Sequence, residues 1–303
     1  MNRASSFVVG ASRVVAIALL AFVFVLGSSG ASAATDDTHT EGACEGPYDF
    51  VQLPMTPPSA PRESKPWNIL LYAAADIAGG QGFGPTGPFA ASVASSPQAN
   101  VLILEDQYSF IQEDVVWLVE HQPCSVCITP VLSLGEAETD EQETLEQFLR
   151  FAKEWFPSER TLLYMYGHGG AWKGACNDES NGTTMCGSIS CDWLTPSEMR
   201  AAIEAVEGVD ALMFAAPCAM CSLEAAYELR NVTELYVGSE ELSGYLFWWS
   251  AVERIAASLE EDPDQDVFSL GEVTIDAIRD TMQEHLEADY YSHVVTRLPN
   301  IRR

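Results

Sequence analysis

Lysine is the scarcest charged residue of this chain. Only Lys65, Lys153 and Lys173 occur, and Lys and Arg together number 15 against 44 Asp and Glu. The net charge of −29 argues against partners that are themselves polyanions, nucleic acid and anionic membranes above all. It suits a well-solvated acidic surface, and it would also draw in cationic peptides. Long apolar runs are missing beyond one near the N-terminus, so no second segment approaches the length of a membrane span. No internal repeat occurs, which argues against solenoid and propeller architectures. A disordered chain is excluded as well, because 47% of the residues are hydrophobic and 10% aromatic.

The early apolar run, Val14 to Leu26, follows Arg3 and Arg13 and gives way to small residues ending Ala31-Ser32-Ala33. This is the pattern of a secretory signal over residues 1–33, and the run is short for a membrane anchor. Its removal leaves a net charge of −31 and implies an exported chain beginning at Ala34, with no stable membrane insertion. Residues 34–66 carry Pro54, Pro57, Pro58, Pro61 and Pro66 and read as a proline-rich lead. The remainder, 67–303, is long enough for one large folded domain.

Eight cysteines in an exported chain suggest some disulfides. Cys176, Cys186 and Cys191 bracket one loop and are placed to staple it. Cys124 and Cys127 have redox-motif spacing without the strand–helix junction that such a motif needs, and a small structural loop fits them better. Zinc shared between 124/127 and 218/221 would consume Cys218, so no metal site is assigned from the cysteines.

Short apolar runs bounded by small residues predict buried strands at 67–75, 100–104, 161–166, 210–216 and 235–239. Alternation over 115–119 and 128–134 predicts a hairpin at the sheet edge. Leu145, Phe148, Leu149, Ala152, Trp155 and Phe156 recur at helical spacing, so 141–156 is an amphipathic helix stopped by Pro157. Thr195-Pro196-Ser197-Glu198 is a capping box with proline at the first helical position. Further helical patterns cover 250–260 and 270–287. Strands alternating with helices predict an α/β fold with a mainly parallel central sheet.

Two of these strands end at reactive side chains. TLLYMYGHGGAW (161–172) delivers His168, and DALMFAAPCAMCSLEAAYEL (210–229) delivers Cys218. Parallel sheets place their sites beyond the carboxyl ends of the strands, so neighbouring strands would bring a thiol and an imidazole to one rim. That is a nucleophile with its base. Gly169 and Gly170 present no side chains to block a substrate backbone, and His39, His121, His285 and His293 have no comparable setting. A helix starting directly after Cys218 would turn its unpaired N–H groups toward the sulfur and favour thiolate.

These segments resemble the clostripain-like cysteine peptidases, relatives of the caspase and gingipain fold group. The lead GEAETDEQETLEQFLRFAKEWFPSERTLLYMYGHGGAW (135–172), the segment FAAPCAMCSLEAAYEL (214–229) and VGSEELSG (237–244) fall in that family's order. The resemblance implies a caspase-like α/β/α sandwich, His168 and Cys218 as catalytic dyad, and peptide or protein substrates. It also implies that 237–244 lines the pocket for the residue before the scissile bond. The family usually has Asp two residues ahead of the nucleophile, where this chain has Ala216, so its usual basic preference is expected to be weakened. Glu240 or Glu241 would be the substitute acid; adjacent strand residues face opposite ways, so at most one enters the pocket. Some members depend on calcium, and Asp178, Glu179 and Asp192 are loop acids that would be available to such an ion, or ordinary solvated residues.

The reading this supports is an exported cysteine endopeptidase. The Cys218 sulfur forms a thioacyl intermediate, His168 manages the proton of the leaving amine, and the N–H groups of Gly169 and Cys218 hold the oxyanion. A catalytically silent exported binding protein on the same fold is the alternative. A thiol-redox protein using Cys218 and Cys221 would leave the His-Gly-Gly segment unexplained.

Overall fold

In the computed structural model, the described residues are 49–75, 96–107, 113–122, 125–178, 192–214, 217–241, 246–285 and 293–297. The leader and Ala216 lie outside them, as do Tyr245, Cys124, Cys186 and Cys191. The strands are β1 (Asp49–Gln52), β2 (Lys65–Ala75), β3 (Ala99–Gln107), β4 (Asp114–Gln122), β5 (Ser125–Gly135), β6 (Ser158–Tyr166), β7 (Val209–Phe214), β8 (Thr233–Ser239) and β9 (His293–Arg297). The helices are α1 (Gln142–Trp155), α2 (Pro196–Glu204), α3 (Leu223–Leu229), α4 (Leu246–Glu261) and α5 (Val267–His285).

All nine strands join one sheet, in the order β1-β5-β4-β3-β2-β6-β7-β8-β9. The central run β3-β2-β6-β7-β8 is parallel throughout. Parallel neighbours need crossovers, and crossovers place helices on both faces of the sheet, so these strands are buried on both sides and read as continuous apolar runs. Leu70, Tyr72, Leu163, Met165, Leu212 and Phe214 face one way, toward α1, α2 and α3. Ile69, Leu71, Leu162, Tyr164, Ala211 and Met213 face the other, toward α4 and α5. The result is the caspase-like α/β/α sandwich.

Local signals act as the sequence implies. Leu145, Phe148, Leu149 and Ala152 are the buried stripe of α1. At α2 the Thr195 hydroxyl accepts from the Glu198 N–H at 3.3 Å, and the Glu198 carboxylate accepts from the Thr195 N–H at 2.8 Å.

The edges differ from the sequence reading. The β4–β5 hairpin forms but is not the border, because β1 pairs in parallel with β5 from Asp49↔Ser125 to Gln52↔Ile128. Leu53 and Thr56 extend that edge, their N–H groups donating to the carbonyls of Ile128 and Pro130, each at 2.9 Å. Part of the stretch expected as a lead is therefore a sheet strand, whose pairing partner lies more than 70 residues away. At the opposite border β9 pairs antiparallel with β8.

Candidate active site

The rim formed by the carboxyl ends of β6, β7 and β8 is where the two reactive side chains emerge. Beyond β6 the backbone crosses close to its neighbours. Gly167 has φ +141°, and a Cβ there would stand 3.1 Å from the Ala74 carbonyl oxygen and 3.2 Å from the Cys176 Cα. The positive φ favours glycine, and the close backbone leaves little room for a Cβ. His168, half-buried, follows. Its loop then turns back through a 3-10 turn at Ala171–Lys173 and is pinned as a small antiparallel patch. The Cys176 N–H donates to the His168 carbonyl at 2.8 Å and the Gly170 N–H to the Gly174 carbonyl at 2.8 Å; Ala175 exchanges two bonds with Leu194, each 3.1 Å.

Cys218, also half-buried, sits in the turn after β7, and that turn is clamped to the end of β8. The Ala219 N–H donates to the Glu241 carbonyl and the Cys221 N–H to the Ser239 carbonyl, both at 2.8 Å. The Tyr236 hydroxyl donates to the Met220 carbonyl from below. Ala219 is held at φ 55°, a left-handed conformation that costs a non-glycine residue about 1 kcal/mol.

Gly169 joins the two halves. A Cβ at this position would lie 2.2 Å from the Cys218 carbonyl oxygen, 2.4 Å from the Cys218 nitrogen and 2.7 Å from the Pro217 carbonyl carbon. The histidine loop thus rests backbone against backbone on the cysteine turn. The two hydrogen bonds of the Gly169–Ala175 bridge run through the flanking pairs 168/176 and 170/174. In that register the N–H of Gly169 is directed away from Ala175.

Several expectations change here. Gly169 makes room for the protein's own Cys218 backbone, and Gly170 for the Trp193 ring, whose atoms a Cβ would meet at 3.3 Å; neither glycine is explained by substrate clearance alone. No helix starts directly after Cys218. A turn intervenes, and α3 begins at Leu223 with Ser222 as its cap. Cys176 is a buried free thiol whose sulfur donates to the Tyr166 carbonyl at 3.4 Å, so it does not staple the following loop. Cys127 is likewise a free buried thiol, held within β5. Glu240 and Glu241, the expected substitute acids, are both exposed, and the Glu241 carbonyl accepts from the Ala219 N–H.

Behind the histidine loop lies a carboxylate group that sequence reading only touched. Oxygens of Glu138, Asp140 and Asp178 lie within 4.8 Å of one another, with Asp140 and Asp178 buried. Thr139 links them to the core: its N–H donates to Asp178 at 3.3 Å, its hydroxyl to the buried Asp106 at 2.6 Å, and its carbonyl accepts from the Tyr72 hydroxyl at 2.9 Å. Of the three loop acids singled out, Asp178 belongs to this group, Asp192 is exposed and accepts from the Trp193 N–H at 2.9 Å, and Glu179 is outside the described residues. Three carboxylates are hard oxygen donors of the kind calcium takes, fewer than its usual shell of six to eight. Burial, then Asp106 and Asp140, push the Cys176 thiol up; burial, then Cys176 and these acids, do the same to the Tyr72 hydroxyl.

Fold and rim define a caspase-like sandwich with a thiol and an imidazole on adjacent strand ends. A family model described as the Clostripain family matches residues 90–294, and the chain belongs to that family. No curated protein sequence matches it. Among solved structures it is similar to a secreted C11 cysteine protease from Bacteroides thetaiotaomicron in complex with an irreversible peptide inhibitor, at 14% identity and TM-score 0.55, over 76% of this chain and 65% of that one. An inactive zymogen C11 protease from Parabacteroides distasonis is similar at 15% identity and TM-score 0.52, over 78% of this chain and 63% of that one. The chain therefore spans just under two thirds of the length of either, and at these identities the likeness is one of fold.

Asp140 offers a test of the carboxylate group. Burial first, then Glu138, raise its carboxyl from 3.8 to about 6, against the backbone N–H of Asp178. Between those values the folded chain retains a proton that the unfolded chain has released, so this group's contribution to stability falls as pH rises through the window. In chelator-treated buffer, the melting temperature of Asp140→Asn relative to the native chain should climb by a few degrees from about pH 4 to about pH 7. A difference that stays constant over that range would show that Asp140 titrates as an ordinary carboxylate.

Proposed function

We propose that the chain is an exported cysteine endopeptidase working through Cys218 and His168. The observation that carries this reading is the contact at Gly169, which seats the histidine loop directly on the backbone of Cys218. In the reaction the Cys218 thiol passes its proton to His168 as the sulfur attacks the scissile carbonyl, and the carbonyl electrons move onto its oxygen. His168 delivers a proton to the departing amine as the C–N bond breaks, leaving a thioester on Cys218. Water, deprotonated by His168, then releases the acid and restores the thiol. The N–H of Gly169, directed away from its bridge, and that of Cys218 beside it are the donors for the oxyanion.

Residues 239–241 flank Cys218 on the β8 side and line the pocket for the residue before the scissile bond. With Ala216 in place of the family's acid and both glutamates exposed, this pocket accepts uncharged residues alongside basic ones. The peptidase family supports peptide or protein substrates, and the excess of acid disfavours nucleic acid. Among the described residues no helix is long and apolar enough to cross a membrane. Export rests on the leader at 1–33.

Cys218→Ala and His168→Ala should each lower peptide cleavage by at least roughly a thousandfold with the fold intact. An iodoacetamide probe should label Cys218 in the native chain and lose that selectivity in His168→Ala. Retained cleavage by Cys218→Ala would end the peptidase reading, and a native chain that neither cleaves nor labels would be a binding protein on this fold.

Gly169→Ala forces the two backbones apart and should reduce kcat/KM by roughly a hundredfold, the penalty of an ångström-scale misplacement. Activity at the native level would mean that His168 does not depend on this contact.

N-terminal sequencing of the exported chain should begin at Ala34 or a close neighbour. Met1 at the mature terminus would instead indicate an uncleaved anchor.

A further inference from the structure

Among the described residues five large hydrophobic side chains are exposed: Val51, Met55, Trp172, Leu223 and Tyr227. Val51 and Met55 belong to the β1 edge. The other three follow shortly after the reactive residues along the chain. Trp172, 64% exposed, lies in the 3-10 turn four residues beyond His168; Leu223, 79% exposed, opens α3 five residues beyond Cys218; Tyr227, 58% exposed, stands one turn further along. Positions four apart share a helix face, and Ala225, Ala226 and Leu229 fill the opposite, buried face. The 3-10 turn packs against α3, so the three side chains occupy neighbouring elements. The Arg230 guanidinium lies 3.6 Å from the Tyr227 ring centroid, covering one ring face.

Singly exposed apolar side chains are ordinary, but a group of them beside a site marks a binding surface. The chemistry says which part of a substrate meets it. β7 lies between β6 and β8, so Cys218 has His168 on one flank and residues 239–241 on the other. His168 protonates the departing amine, so the leaving-group half of the peptide runs along the His168 flank. Trp172 belongs to the loop of that flank, and its turn packs against α3, which brings Leu223 and Tyr227 beside it.

We propose that Trp172, Leu223 and Tyr227 form an apolar shelf that binds large hydrophobic side chains in the residues following the scissile bond. The assignment rests on the peptidase reading above and adds to it a selectivity on the leaving-group side. Transfer of a leucine or phenylalanine side chain from water onto such a shelf favours those substrates over glycine. An acidic surface that attracts cationic peptides in general does not make this distinction.

The test uses peptides of one cleavable sequence, identical up to the scissile bond and carrying Gly, Ser, Leu or Phe at the first three positions after it. For the native chain kcat/KM should favour Leu and Phe over Gly by roughly tenfold, a modest share of full side-chain burial. In Trp172→Ser/Leu223→Ser that ratio should collapse toward one, and in Tyr227→Ser it should shrink. These side chains are exposed, so the variants fold, and the ratio is insensitive to any general loss of activity. No preference in the native chain, or a preference that survives the double substitution, overturns the shelf. The same peptides are also titrated, by fluorescence anisotropy, against Cys218→Ala with and without the double substitution. A chain that cleaves nothing yet binds the Phe peptides more tightly than the Gly peptides, in a manner abolished by the double substitution, retains the surface and loses the peptidase reading. Equal binding of the two sets overturns the surface itself.

Discussion

The site depends on one close approach: the backbone of Gly169 against the backbone of Cys218, with no room for a Cβ between them. Neither loop could make that approach alone. It follows from β6 and β7 being parallel neighbours, paired from Leu162↔Ala211 to Tyr164↔Met213, so that both chains leave the sheet at the same rim. Burial of Leu163, Met165, Leu212 and Phe214 on one face and Leu162, Tyr164, Ala211 and Met213 on the other fixes that register. A slip of one residue would turn every one of these side chains to the wrong face. The position of the thiol relative to the imidazole is thus held by core packing far larger than any interaction within the site.

Each half of the rim is then held from its outer flank. On the histidine side, the bonds from Cys176 to His168 and from Gly170 to Gly174 close the loop, and Leu194 anchors it from beyond. On the cysteine side, Ser239 and Glu241 receive N–H groups of the turn, and Gly238 lets it approach, since a Cβ there would stand 3.0 Å from the Cys221 nitrogen. The left-handed Ala219 is the residue of this turn whose conformation is unfavourable in itself, and its N–H bond to Glu241 is the compensation. α3 begins only after this turn is complete, so backbone hydrogen bonds to the end of β8 hold the segment that carries Cys218.

What could be read from the sequence was whatever a local pattern determines. Apolar runs bounded by small residues located the parallel strands within a few residues, helical spacing located α1, and the capping box marked the start of α2. His168 and Cys218 stood out because both runs end in small residues. β1 escaped notice because four residues in a proline-rich stretch carry no run or period, and their partner is distant in sequence. The reason for Gly169 was equally inaccessible, since a glycine that clears a substrate and one that clears a neighbouring loop look the same in a chain. Cys176 was read with the cysteines near it in sequence, whereas its surroundings, Tyr166 with Asp106 and Asp140, come from other elements.

The abundance of acid and the scarcity of lysine take different forms in different parts of the molecule. Among the described residues most carboxylates are solvated, and the long-range field of such charges is screened by salt over about 10 Å. Asp106, Asp140 and Asp178 are buried, and there the same charge is expensive to maintain. They lie behind the strand that returns from His168, joined to it through Asp178 and Cys176. Groups that neutralise these acids, by a proton or by a hard cation, therefore stabilise the segment to which the histidine loop is tied. Groups that bind at the rim meet apolar side chains instead, at Trp172, Leu223 and Tyr227, where salt has little influence. Long-range electrostatics and the proposed selection between substrates thus belong to separate surfaces, and they respond to different variables: ionic strength for the first, the side chains that follow the scissile bond for the second.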